Sequence, residues 1–428
     1  MLLNKTKIAI AGVGTVGSGV LELFKKNSIH RKCDIELTAL ASRKKINLTN
    51  ICFKNFKYFK DASEFLNFDD YDILIELIGG DEGISKAIVF DALKKGKHVV
   101  TANKALVSKY WEELNKIILV KGNQIKFEAA VAGGIPIVKI VNEFLKSNKI
   151  KKIYGILNGT SNYILTNMLN TNENFKKILL KSQKLGYAES DPSFDIDGID
   201  SSHKLSILSS LAFGVKVDLK DTFVEGIRNI ELIDLLYAKE LGHVVKLLGI
   251  TEVVNNRLIN FVYPCMIDEN ELIGRVGDVY NGVIVESDFC KKSFFQGEGA
   301  GSEPTATSVL SDILDLTIRE IKPKYIQNKI KKIKLKKISE RYGSYYLRFS
   351  TVDKPGVISG ISNEFKKNKI SMKSMLQKDT PSKGKNHAII VATTHNCYEK
   401  NMMEALKKIN RFNFILKRTT YIRIENFK

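Results

Sequence analysis

The sequence predicts an α/β protein that opens with a doubly wound parallel sheet, continues into an α+β middle domain and closes with a compact βαββαβ unit. Three observations carry this expectation. Short apolar runs alternate with helix-period stretches of ten or more residues as far as about residue 130. A glycine-rich turn separates the first such run from the first helix, and from Tyr345 the pattern reads strand, helix, strand, strand, helix, strand. Strands covered by helices on both faces are nearly continuous apolar runs, and connections long enough to hold a helix make them parallel.

The first strand is expected over Lys7 to Val13, the turn over Gly12 to Gly17 and the first helix over Val16 to Lys25. A second strand follows at Ile35 to Ala41. A third, Asp72 to Ile78, ends at Gly79-Gly80 before a helix over Ile84 to Lys95. The strand His98 to Thr101 precedes a helix over Ser108 to Lys121, and Gln124 to Ala129 supplies another strand. After Gly133-Gly134-Ile135-Pro136 the pattern changes: a strand over Lys151 to Leu157 leads to Asn158-Gly159-Thr160, and mostly helical segments with a few strands run to about Ile321. The basic stretch Lys322 to Lys337 is expected as a solvated linker carrying an alternating strand. These signals divide the chain into residues 1–135, 136–321, a linker 322–343, and 344–428.

Composition narrows the class. With 428 residues, 44% hydrophobic and 27% charged, the chain is long enough for two or three cores. The N-terminus runs straight into a strand without a basic segment, apolar region and cleavage site, and no run approaches the ~18 apolar residues of a membrane span. Five scattered cysteines form no metal or disulfide spacing, which fits a reducing cytoplasm. The formal charge of +20 comes from lysines spread through every segment, without the interleaved aromatics of a base-stacking surface. Neither nucleic acid nor a membrane is the expected partner; the charge suits anionic cofactors and substrates.

Gly12-Val13-Gly14-Thr15-Val16-Gly17 matches G-x-G-x-x-G directly after a strand and at the start of a helix. In that Rossmann context, backbone amides at the helix N-terminus face a pyrophosphate and Gly14 permits its close approach. A dinucleotide cofactor is expected. The second strand ends Ala41-Ser42-Arg43-Lys44-Lys45, with no carboxylate for a ribose and with Arg43 able to pair with a 2′-phosphate, so NADP(H) is preferred and NAD(H) stays open.

Lys104 follows the strand His98 to Thr101, whose carboxyl end faces the ligand crevice of such a sheet. The stretch Gly186 to Leu205 holds five carboxylates in a loop before an apolar helix, without the D-x-D-x-D-G spacing of a calcium loop. On the helix expected over Ile199 to Ala212, Asp200 and Lys204 are four apart and share a face. If that face turns inward, it carries an acid and a base into a pocket.

Taken in order, Gly12 to Gly17, Thr101-Ala102-Asn103-Lys104, Asn158 to Leu165, Gly186 to Pro192, Gly198 to Leu205 and Gly297 to Ala306 resemble homoserine dehydrogenase from about residue 7 to about residue 320. The resemblance implies reversible NAD(P)H-dependent reduction of L-aspartate 4-semialdehyde to L-homoserine, in threonine, methionine and isoleucine biosynthesis. It implies Lys204 as proton donor and Lys104 as a second lysine near cofactor and substrate. Glu189 and Asp200 match substrate-binding positions, with Tyr187, Thr160 and Gly159 completing the pocket. Two ammonium groups in one site are expected to lower each other's pKa, with Asp200 opposing the shift. The run from Glu128 resembles a loop that holds sodium through the Glu128 carboxylate and the carbonyls of Val131, Gly133 and Ile135, an oxygen-only set suited to a hard cation. Gly301 matches a segment that covers the cofactor.

The C-terminal unit resembles an ACT domain, with the turn Asp353-Lys354-Pro355-Gly356-Val357 before a helix and a strand beginning near Asn368. That implies an amino-acid effector, threonine, near Asp353, Pro355, Gly356 and Asn368, and a homo-oligomer, dimer or tetramer. With no kinase-sized segment before Gly12, the monofunctional form is expected. The rival readings are a nicotinamide enzyme for another semialdehyde, and a non-catalytic amino-acid sensor that kept the dinucleotide fold or a lysine-rich nucleic-acid binder.

Overall fold

A computed structural model of the chain describes residues 5–47, 51–318, 330, 332–378 and 387–427. Met1 to Asn4 and much of the basic stretch, residues 322–329 and 331, lie outside them.

The N-terminal sheet consists of β1 (Thr6–Ala11), β2 (Ile35–Ala41), β3 (Lys57–Phe59), β4 (Ile73–Glu76), β5 (His98–Thr101) and β6 (Ile125–Lys126), in spatial order β3-β2-β1-β4-β5-β6 and parallel throughout. The order reverses beside β1, so the crevice at the strands' carboxyl ends opens between β1 and β4. β3 was not anticipated: three residues give too short a pattern to register. The expected helix over Ser108 to Lys121 is two helices, Lys104–Lys109 and Trp111–Lys121, with Tyr110 between them. One covering helix of this layer comes from far down the chain. Ser302–Ile318 packs against Thr15–Asn27, placing Ala306, Val309, Leu310 and Ile313 in one core with Ile8, Ile10, Val20 and Phe24.

The middle of the chain is richer in strand than the expected mostly helical pattern. It contributes β7 (Ile150–Ile156), β8 (Phe223–Val224), β9 (His243–Val254), β10 (Arg257–Asp268), β11 (Tyr280–Ser287) and β12 (Lys292–Glu298). β9 and β10 form a hairpin from Arg257 opposite Val254 to Asp268 opposite His243. Val245 to Ile250 and Leu258 to Met266 are buried on both faces, so the period-2 alternation that marks a half-exposed strand is missing. The long helices Gly159–Thr171 and Ile199–Phe213 pack on this sheet.

After β13 (Lys334–Leu335), which pairs with β10, come β14 (Tyr342–Val352), β15 (Met372–Lys378), β16 (His387–Thr394), β17 (Cys397–Tyr398) and β18 (Ile415–Ile424). Helices Val357–Lys367 and Glu399–Ile409 bury Ile361, Phe365, Met402 and Leu406 against Tyr345, Leu347 and Phe349 of β14, giving the expected βαββαβ unit. Its sheet is not separate. β18 runs parallel to β10 through Cys265–Arg423 and Met266–Ile424, so one path passes through β12-β11-β7-β9-β10-β18-β14-β16-β15.

Candidate active site

Helix Ile199–Phe213 begins at Gly198 and ends at Gly214, and most of its circumference is buried by sheet and neighbouring helices. A helix wrapped on all sides carries small residues where neighbours approach, here Ser201, Ser202, Ser206, Ser209 and Ser210. Lys204 is 7% exposed, so the helix faces inward. Its Nζ donates to Leu157 O (2.7 Å), just past the end of β7, and lies 2.8 Å from Asp200 Oδ2 one turn earlier. Lys104 begins the helix that follows β5, and its Nζ lies 2.8 Å from Asp200 Oδ1. Asn103 fixes that helix start: its Oδ1 accepts from Leu106 N, and its amide donates to Gly80 O and Ser85 Oγ.

Asp200 thus stands between two lysines. The amide of Asn158 donates both to Asp200 Oδ2 (2.9 Å) and to Asp195 Oδ1 (2.8 Å), drawing a fourth side chain from just past β7 and a fifth from the 186–198 stretch into one cluster. Burial works against the charge of Asp200, but the ammonium groups of Lys204 and Lys104 and the Asn158 amide hold its carboxyl well below the usual range. The two lysines separate instead of shifting together. Burial pushes Lys204 down, with Lys104 repelling it and Asp200 opposing. Burial also opposes the charge of Lys104, but Asp200, with Asp195 and Glu189 behind it, raises its pKa. Asp195 is raised by burial and by Asp200. Among these groups, Asn158 and Asp195 were not singled out from sequence, where Asp195 is one carboxylate of a crowded loop.

The other expected substrate residues lie around this cluster with different geometry. Glu189 and Tyr187 are exposed on the loop, and the Tyr187 ring rests on Tyr163 at 5.1 Å. The hydroxyl of Thr160 donates to Tyr187 O (2.7 Å), tying the loop to the helix start. Gly159 lies against Val279 O.

A cleft of about 340 Å³ runs along the carboxyl ends of β1 and β2, lined by Gly12, Val13, Gly14, Arg43, Lys44, Asp61 and Ser63. Thr15, Val16 and Gly17 continue into the first helix, and a Cβ on Gly17 would overlap Gly12 O. Ser302 Oγ donates to Thr15 O (2.8 Å), which brings Gly301 beside the glycine turn. Arg43 is exposed at the cleft wall as expected, but β3 delivers a carboxylate to the same cleft: Asp61 accepts from Ser63 N and feels the Arg43 charge. Glu76, buried at the end of β4, accepts from Thr101 Oγ1 (2.6 Å) and from the amides of Ile78 and Gly79, bracing the crevice floor.

Glu128 is 1% exposed; its two oxygens accept from Val138 N and Lys139 N. Burial and the neighbouring Asp312 push its pKa up to about 8. Val131 follows, and Ala132 and Gly133 both adopt left-handed backbone. Gly133 O accepts from Ser308 Oγ and Ile135 O from Ile137 N, each leaving an oxygen lone pair. The donor set fits a hard monovalent cation, whose charge would relieve the buried carboxylate.

In the C-terminal unit a small cleft is lined by Asp353, Lys354, Pro355, Gly356, Gln377 and Ile390. Asn368 lies at the end of helix Val357–Lys367, where its amide donates to Glu364 O (2.8 Å), and does not line that cleft. No helix among the described residues is long and apolar enough to cross a membrane.

Family models agree with this geometry. Residues 12–128 match the NAD-binding domain of homoserine dehydrogenase and residues 136–314 match homoserine dehydrogenase itself. The chain is 36% identical to homoserine dehydrogenase of Neisseria gonorrhoeae over 99% of both chains, and 37% identical to that of Helicobacter pylori over 99% of this chain and 100% of the relative. Among solved structures, homoserine dehydrogenase from Thiobacillus denitrificans superposes with a TM-score of 0.91 at 35% identity, covering 99% of each chain. The S. aureus enzyme at pH 7.5 gives a TM-score of 0.75 at 30% identity, again covering 99% of each. With its glycine-turn cleft, its two lysines on one buried carboxylate and relatives matched along its whole length, the chain belongs to the homoserine dehydrogenase family of NAD(P)-dependent oxidoreductases acting on a CH–OH group.

Proposed function

We propose that Lys204 gives a proton to, and takes it from, the C4 oxygen as aspartate 4-semialdehyde and homoserine interconvert. The observation that carries this reading is the Lys204 ammonium, buried against Leu157 O and Asp200 at the carboxyl end of the crevice, with its pKa lowered by burial. A nicotinamide cofactor supplies or accepts the hydride. A lysine with a lowered pKa exchanges protons more readily near neutrality, while Lys104, held charged by Asp200, stabilises negative charge on the substrate oxygen. Asp200 engages both lysines and so orients them, which leaves Glu189 as the exposed carboxylate for the substrate α-ammonium. Tyr187, Thr160 and Gly159 shape the wall beside it.

The glycine turn from Gly12 to Gly17 holds the pyrophosphate, and Gly301 closes over it. NADP(H) is the preferred cofactor on this reading, because Arg43 and Lys44 line the cleft as partners for a 2′-phosphate; Asp61 in the same cleft is the feature that admits NAD(H). Sodium would be held by Glu128 and the carbonyls of Val131, Gly133 and Ile135, where it would fix the crossover between the two sheets. The cleft beside Asp353, Pro355 and Gly356 supports an ACT-type effector site for an amino acid, threonine, and the unit an assembly of two or four chains in the cytoplasm.

The test is absorbance of the reduced cofactor while the purified chain is offered homoserine and other hydroxy amino acids. Oxidation of homoserine alone is expected. Undiminished turnover by Lys204→Ala would refute the role given to that residue.

A further inference from the structure

Between the loop that carries Glu189 and Asp195 and the C-terminal unit lies a segment with no part in the chemistry above. Glu225-Gly226-Ile227-Arg228 leaves β8, where Glu225 N donates to Val262 O (2.8 Å) of β10. On one side it meets the short helix Ser193–Ile196 and the turn after it, Asp197–Gly198, which belong to the same loop region. Ile227 N donates to Ile196 O (2.8 Å). Arg228 forks onto both oxygens of Asp197 and donates to Ser193 Oγ (2.8 Å). A Cβ on Gly226 would overlap Ile196 O and Asp197 Cα, so only glycine lets the two backbones lie this close.

On its other side the same segment is held by the C-terminal unit. Glu225 Oε2 accepts from Arg423 Nη1 (2.9 Å) and from the Tyr421 hydroxyl (3.3 Å), both on β18. Arg423 is 1% exposed, is fixed by Glu399 of its own unit and lies 4.6 Å from the centre of the Tyr263 ring. A buried guanidinium loses far more when its partner moves away than an exposed one does, so Glu225 has little freedom to shift. The Arg228–Asp197 pair is about half exposed, but the fork also holds Ser193 Oγ, so Arg228 spans the segment Ser193–Asp197 and acts together with the packed backbone at Gly226 and Ile227.

We propose that Glu225 to Arg228 is the bed that positions the homoserine-binding loop, and that Arg423 of the C-terminal unit fixes the bed through Glu225. The path to the lysines is short. Asp195 sits in the loop, accepts from Asn158, and shares that amide with Asp200. Glu225, Gly226, Arg228 and Arg423 are therefore positioning residues, and a change in the C-terminal unit at β18 reaches the substrate loop without passing through the cofactor cleft.

The inference rests on the reading of that loop as the homoserine site, and the test separates the two. Full-length Glu225→Gln, Gly226→Ala, Arg228→Ala, Arg228→Lys and Glu189→Gln are compared by steady-state kinetics with NADP⁺ saturating, and NADPH binding is measured by fluorescence titration. The bed variants are expected to raise the homoserine KM about fivefold or more with kcat within about twofold and NADPH affinity unchanged. Arg228→Lys should recover part of the loss seen in Arg228→Ala. An unchanged homoserine KM, or KM and NADPH affinity worsening together, overturns the positioning role. If Glu225→Gln does not fold, the half-exposed Arg228 pair of variants decides. If Glu189→Gln raises KM and the bed variants do not, only the positioning role fails; if Glu189→Gln also leaves KM unchanged, the loop itself has been misread.

Discussion

Lys104 and Lys204 touch the two oxygens of one carboxylate, yet their burial differs, and with it their acidity. Lys204 is nearly sealed and shifts down, whereas the side chain of Lys104 is 32% exposed and shifts up. With Lys204 in the proposed role, homoserine oxidation needs it neutral to accept the hydroxyl proton, so kcat/KM in that direction should climb with pH through an apparent pKa below 10.5, and semialdehyde reduction should fall through the same range. A pH–rate profile in both directions checks the sign. Lys204→Ala is expected to cost about 10² to 10⁴ in turnover while NADPH still binds, as fluorescence titration would read. Arg43→Ala should weaken NADPH more than NADH; equal losses would mean the turn does not read the phosphate. Spacing placed Asp200 and Lys204 on one face, and the resemblance supplied the roles of both lysines. Asn158 and Asp195 escaped notice because nothing in a run of carboxylates says which one is buried, and because the Asn158 amide lies 37 residues from Asp195 and 42 from Asp200, the two carboxylates it gathers.

Strands and helices were legible where one pattern governs them. β2 and β5 have the bounds expected from their apolar runs, whereas the inward turn of helix Ile199–Phe213, left open by the spacing of Asp200 and Lys204, shows only in its burial. The β9–β10 hairpin was hidden because burial on both faces erases alternation, and β3 because it is short; with β3 went the position of Asp61. Two helices that carry the lysines also meet through Ser108 Oγ and His203 Nδ1 (2.8 Å), one turn from the Lys104–Asp200 contact, a pairing across 95 residues that no local pattern announces. At the glycine turn, Gly17→Ala would drive a Cβ into Gly12 O and push the first helix off β1. Loss of NADPH binding, together with a lower melting temperature of the full chain, is the expected result. Retained binding would show that the turn yields.

Across the molecule, the C-terminal unit is fastened to the middle domain by charge as well as by sheet. Arg348, 6% exposed, forks onto Asp234 (2.7 and 3.0 Å), which is wholly buried at the start of helix Leu232–Glu240 and also accepts from the Tyr346 hydroxyl. Asp234→Ala would leave that guanidinium buried without its partner, a loss of about 3–5 kcal/mol, to be read from denaturant unfolding of the full chain. A loss under about 1 kcal/mol would mean that Glu231, 3.3 Å away, takes over. The seam also has an order in time. β18 lies in the middle of the larger sheet, between β10 and β14, yet residues 415–424 leave the ribosome after every other strand of that sheet. Until they emerge, β14 and the Cys265–Met266 end of β10 lack the strand that pairs with them, so the nascent chain carries a gap that only residues 415–424 can close. Translation that stalls within helix Glu399–Ile409 should yield aggregation-prone protein even though Lys104 and Lys204 have long been made.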